Sequence, residues 1–171
     1  MNRILLIGPQ GSGKSTQAKL LAESLNIPLI STGDIYRQLQ SVDEIIRKIL
    51  NEGRLVDDQT TSRIVKERLS KDDCQMGFIM DGYPRTVEQL KLFDPSFDKV
   101  FYLDVSEGEV IKRLMARGRT DDTDELIGRR LDLYYKQTAP LLDYYKKAGI
   151  LVNIDGKGDV EKVKQDLRDH I

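Results

Sequence analysis

A chain of 171 residues is long enough for one domain with a sizeable core and too short for a second full domain. Its 27 lysines and arginines against 28 acids give a formal charge of −1, which excludes a global attraction to nucleic acid or to an anionic membrane and points to a small ligand. A single cysteine, Cys74, excludes a disulfide framework and a cysteine-built zinc site; with no apolar run of ~18 residues and no signal-peptide profile, a soluble cytoplasmic protein is expected.

Ile4-Leu5-Leu6-Ile7 is a continuous apolar run, the pattern of a strand buried on both faces of a parallel sheet. It leads into Gly8-Pro9-Gln10-Gly11-Ser12-Gly13-Lys14-Ser15, in which glycine, four residues, glycine, lysine and a hydroxyl follow the phosphate-loop pattern. A polyphosphate is held by several backbone N–H groups aimed at one anion, and glycines let the chain curl into such a nest. Lys14 is expected to reach the β- and γ-phosphates and Ser15 to hold Mg²⁺, directly or through water. Ala18, Leu20, Leu21 and Leu25 then recur at helical spacing, so strand, loop and helix come in the order an ATP or GTP site requires.

Further strands are expected at 29–30, 78–80, 100–105 and 150–154, separated by helical patterns, which argues for an α/β fold with a parallel sheet covered on both faces. Ser31-Thr32-Gly33-Asp34 falls between the second strand and a helix, where hydroxyls cap orphan N–H groups. Arg37 lies in the first turns of that helix, Gly53-Arg54-Leu55-Val56 breaks two short helical segments, and Asp57 and Asp58 open an amphipathic helix. The apolar run 78–80 ends in Asp81-Gly82-Tyr83-Pro84-Arg85-Thr86, which puts an acid and an arginine at the carboxyl edge of a buried strand, where a second Mg²⁺-organising group belongs; a plain turn with a helix cap at Thr86 is the competing reading. Arg113 and Arg117 lie four apart on one helix face, Arg119 follows with Asp121 and Asp122, and Arg129-Arg130 sit on a long helix expected to run toward Tyr145. Arginines gather around a transferring phosphoryl group because their fork fits its oxygens. The only histidine, His170, is expected in a solvated tail, so histidine is not expected to run the chemistry.

These motifs, taken together in their order, resemble the adenylate kinase family over essentially the whole chain. The resemblance implies a three-layer phosphate-loop NTPase fold on a five-stranded parallel sheet, divided into a core (1–31, 57–117 and 122–171), an AMP-binding hairpin (32–56) and a short lid loop (118–124). It implies reversible Mg²⁺-dependent phosphoryl transfer between ATP, AMP and ADP by a monomer. It places ATP on Gly11, Ser12, Gly13, Lys14, Ser15, Thr16, Arg113, Arg117 and Gly158. It places AMP on Thr32, Gly33, Arg37, Arg54, Leu55, Val56, Gly82, Arg85, Gln89, Arg119 and Arg130. Lys14, Arg85, Arg117, Arg119 and Arg130 carry the catalytic charge, Ser15 and Asp81 serve Mg²⁺, and no structural zinc is expected. The chain departs from the family pattern in Ser15, where many members have glycine, and in a trimmed hairpin and lid. The alternatives weighed are a UMP/CMP kinase with the same phosphate machinery and a phosphate-loop switch without turnover.

Overall fold

A computed structural model describes residues 1–51, 56–117 and 123–171, leaving aside the side chains of 49–51 and 124. Five strands, β1 (Asn2–Ile7), β2 (Leu29–Ser31), β3 (Gly77–Asp81), β4 (Lys99–Asp104) and β5 (Leu151–Asp155), form one sheet in the order β2-β3-β1-β4-β5. Every pairing is parallel. The helices between them are α1 (Lys14–Leu25), α2 (Thr32–Leu39), α3 (Glu44–Asn51), α4 (Asp58–Leu69), α5 (Val87–Leu92), α6 (Glu107–Arg117), α7 (Asp124–Leu133), α8 (Pro140–Lys147) and α9 (Val160–Asp169).

The period-2 geometry of a strand sorts the apolar residues onto two faces. Leu5 and Ile7 of β1, with Phe78 and Met80 of β3, join a cluster that includes Val65 of α4, Leu90 of α5 and Leu141 and Tyr145 of α8. Ile4, Leu6, Ile79, Phe101 and Leu103 face the other way, against Ala18 and Leu21 of α1 and Val163 and Leu167 of α9. The result is the expected three layers. A third cluster, Val105, Val110, Leu114, Ile127 and Leu131, packs α6 against α7 beyond the carboxyl end of β4. Leu21 is wholly buried, so truncating it to alanine costs about 2–5 kcal/mol.

The strands fall within two residues of the positions expected from sequence. The single long helix expected from Arg129 toward Tyr145 is divided: α7 ends at Leu133, a wider π turn spans Tyr134–Thr138, and α8 begins at Pro140. Proline has no N–H to continue an α-helical ladder, and its ring crowds the carbonyl four residues back. The backbone answers with a bond from Ala139 N to Tyr134 O of 2.9 Å, one residue longer than the α spacing.

In a parallel sheet all the strands deliver their carboxyl ends to one edge, and the strand order reverses direction around β1, where ligands of such folds bind. The phosphate-loop motif, Ser31 and Asp81 all lie on that edge, with Leu6 and Ser31 in register with Asp81 on either side.

Candidate active site

The residues between β1 and α1 leave a helix start open to an anion. Gly13 caps α1 at φ 92°, with no side-chain cap and no acid in the first turn. That φ suits glycine alone among common residues. By contrast α2, α4, α5, α7 and α9 are capped by Ser31, Asp57, Thr86, Thr123 and Asp159. The orphan N–H groups of α1 and the positive end of its dipole therefore have no side-chain cap and suit an anion. Ser12 N donates to Pro9 O at 3.1 Å, closing the loop, and Thr16 is exposed on the first turn of α1.

Lys14 is half-buried, and its Nζ donates to Pro9 O at 3.3 Å. Desolvation pulls its pKa below the ordinary lysine value; Asp81 opposes this, while the charges of Arg85 and Arg117 add to it. Three cations thus converge on one place, an arrangement that suits an anion. Ser15 Oγ donates to Asp81 Oδ2 at 2.5 Å, and Asp81 is buried. A hydroxyl and a carboxylate side by side are the hard oxygen donors that Mg²⁺ takes, so these two residues fit the ion.

Arg113 lies beside this loop. Its Nε meets Glu109 Oε1 at 2.9 Å, Nη1 donates to Ser12 O at 3.4 Å and Nη2 to Gly156 O at 2.9 Å. Its edges are occupied, which holds the guanidinium plane fixed. Gly156, just past β5, packs so closely on Val105 that a Cβ there would lie 2.5 Å from Val105 Cγ2, and at ordinary contact, 3.6 Å, from Ser12 O. Gly158, expected at the ATP site, lies against Lys162, while Gly156 O accepts from Arg113 Nη2 and Gly156 lies near Ser12. Arg117 ends α6, and Arg130 occupies the last turn of α7. The α6–α7 apolar cluster is what sets both helices at this end of the sheet.

A second polar cluster starts one residue beyond Asp81. Gly82, at φ 95°, offers its carbonyl to Thr32 Oγ1 at 3.1 Å and to Arg85 Nε at 3.0 Å. A Cβ at Gly82 would come within 2.4 Å of Thr32 Oγ1. Thr138 Oγ1, at the end of the π turn, donates to Arg85 O at 2.9 Å and ties that loop to the helices carrying Arg130. Gln89 is buried, its Oε1 accepting from Arg85 N and its Nε2 donating to Asp58 Oδ1, both at 2.8 Å. Thr86 does cap α5, so the turn-and-cap reading of this stretch holds alongside the functional one. Val56 is buried and its carbonyl accepts from Thr61 Oγ1 at 3.4 Å. Burial raises the Tyr36 phenol pKa against the influence of Thr61 and of the Arg85 charge.

Arg37 stands apart. Its guanidinium pairs with Asp34 on the surface, folded back toward Gly33. Arg54, Leu55, Arg119, Asp121 and Asp122, and with them most of the expected lid, lie outside the described residues. Asp58 and Gly156 are among the described residues of this edge that the motifs did not single out as site residues. The aspartate pair at 57–58 was legible only as a helix start, and no pattern marks Gly156.

A nest of N–H groups with a lysine at a strand-to-helix junction, beside a second arginine-bearing cluster, defines a nucleotide-binding phosphotransferase of the phosphate-loop class. A family model described as adenylate kinase matches residues 6–150. The adenylate kinase of Bifidobacterium longum is 43% identical over 184 residues, covering 99% of each chain. That of Tropheryma whipplei is 41% identical, over 98% of this chain and 96% of the relative, and that of Corynebacterium urealyticum 42%, over 95% of each. The chain belongs to the adenylate kinase family.

Proposed function

We propose that this chain transfers the γ-phosphoryl group of ATP to AMP, reversibly, giving two molecules of ADP. The observation that carries the reading is that consecutive residues serve two polar clusters: Asp81 bonds Ser15 at the open start of α1, while Gly82 bonds Thr32 and Arg85. A donor phosphate and an acceptor phosphate can thus be brought to the same strand end, which is what direct transfer needs.

In this reading the ATP phosphates take the N–H groups at 11–16 and the ammonium of Lys14, while the base stacks on Arg113 near the loop of Gly156 and Gly158. Ser15 and Asp81 would hold Mg²⁺, which would neutralise phosphate charge. AMP places its phosphate on Arg85 and on Arg37, which leaves Asp34 to do so, and its adenine meets Thr32, Gln89 and the backbone at 54–56, with Gly33 and Gly82 allowing close approach. An AMP phosphate oxygen forms the new bond to phosphorus as the β–γ bridging bond breaks, and ADP departs. Lys14, Arg117, Arg119 and Arg130 spread the charge of the passing group. A loose transition state of this kind asks for positioning and neutralisation rather than a strong base, consistent with a site built without histidine. Residues from one chain supply both clusters, which supports a monomer, and the unpaired Cys74 supports a reducing, cytoplasmic setting.

The test is an acceptor panel of AMP, CMP, UMP, GMP and dTMP with ATP and Mg²⁺. AMP is expected to be preferred strongly; preference for UMP or CMP would replace this reading with the pyrimidine one, and tight ATP binding without turnover on any acceptor would replace it with a switch.

A further inference from the structure

We infer that Asp58 is a positioning residue that makes the acceptor site select amino-purines over oxo-purines, acting through the side chain of Gln89. The inference rests on the proposed role of Gln89 in meeting the acceptor base.

Gln89 is only 6% exposed, and its amide is engaged at both ends. Nε2 donates to Asp58 Oδ1 at 2.8 Å and Oε1 accepts from the backbone N–H of Arg85 at 2.8 Å. An amide turned by 180° has nearly the same shape, so its orientation is set by its partners alone. Here the partners leave no choice, because a carboxylate only accepts and a backbone N–H only donates. The turned amide would point oxygen at carboxylate and N–H at N–H.

The carboxylate is not recruited from another duty. Asp57, one residue earlier, caps α4 through Thr60 N at 2.8 Å. Asp58 is half-buried, and its hydrogen bond to Gln89 spans 31 residues of sequence.

After these bonds the amide keeps one N–H and one oxygen lone pair, with the polarity fixed. Adenine presents an N6 amino donor next to a ring-nitrogen acceptor, which the oxygen and the N–H match. Hypoxanthine has almost the same outline but an oxygen at position 6, which would face the amide oxygen. Size cannot separate the two bases, so polarity must, and a buried polar mismatch is costly. Asp58, together with the Arg85 N–H, opposes the one rearrangement, an amide flip, that would relieve the mismatch.

Asparagine at position 58 can donate or accept, so it removes one of the two locks on Gln89 and leaves the Arg85 N–H alone to oppose the turned amide. We therefore compare kcat/KM for AMP and for inosine monophosphate, with ATP and Mg²⁺, in the parent, Asp58→Asn, Gln89→Leu and the double variant, with Asp58→Ala as a second route should the asparagine variant fold poorly. Asp58→Asn is expected to lower the AMP-to-IMP ratio about tenfold or more, mainly through KM, and to leave the ratio unchanged when Gln89 is already leucine. A ratio unaltered in both Asp58 variants, or altered equally without Gln89, would overturn the inference while leaving ATP-to-AMP transfer standing. A parent enzyme that phosphorylates neither acceptor would overturn both.

Discussion

Lys14 shows how the site trades stability for charge. Burial pulls its folded pKa below the unfolded value of about 10.4, so between the two pKa values the unfolded chain holds more protons. The charged lysine therefore costs stability at neutral pH, and the cost fades as pH rises toward the unfolded value. Lys14→Met is expected to lower kcat by at least about a hundredfold, the loss of one transition-state charge contact, while raising the melting temperature of the unliganded protein at pH 7. Calorimetry at pH 7 and pH 10 checks this, since the gain should shrink at the higher pH. Normal turnover in the folded variant would remove Lys14 from the chemistry. Asp81→Asn replaces a buried acceptor of the Ser15 hydroxyl with a neutral amide. It is expected to move the Mg²⁺ dependence of turnover to higher concentration, with AMP binding in the absence of metal unchanged; overlaid Mg²⁺ titrations would make Asp81 a turn residue only.

At the scale of elements, Tyr83 fastens the two helices that frame the acceptor cluster. Its ring is wholly buried, and its hydroxyl lies 3.0 Å from Ser62 Oγ on α4, 2.9 Å from Gln89 O on α5 and 2.8 Å from Phe93 O. Tyr83→Phe leaves these acceptors without their shared donor and is expected to cost about 1–3 kcal/mol by urea denaturation, with a higher KM for AMP and little change for ATP. An unchanged midpoint would show that the acceptors find other partners. Strands, layers and caps were legible in the sequence because each has a local signature: an apolar run, a period, a hydroxyl or acid before a helix. The π turn was not, since Tyr134-Tyr135-Lys136-Gln137-Thr138 reads as helix until Pro140 forces the wider loop. Nor was the Asp58–Gln89 link, which joins residues far apart in the chain, or the surface pairing of Arg37 with Asp34, which is a choice of side-chain direction.

Across the whole molecule, two apolar layers hold the sheet while a separate α6–α7 cluster holds the helices that carry Arg113, Arg117 and Arg130. Among the described residues, the two polar clusters proposed for donor and acceptor adjoin where β3 ends, at Asp81 and Gly82. A compound joining two adenosines through five phosphates should span both. At a hundred times its dissociation constant it should add about 2.7 kcal/mol, raising the melting temperature by roughly 5–10 °C. A rise no larger than ATP gives at the same multiple of its own dissociation constant would not distinguish two sites, so the comparison must be of affinity: binding by the linked compound no tighter than by ATP would contradict a second nucleotide site.

The most direct measurement is to follow ATP and AMP with Mg²⁺ by phosphorus NMR as the enzyme acts. Two ADP should appear for each AMP consumed, with no inorganic phosphate released and the same mixture reached from ADP alone. ATP lost to ADP and inorganic phosphate while AMP stays constant would contradict direct transfer between the two clusters.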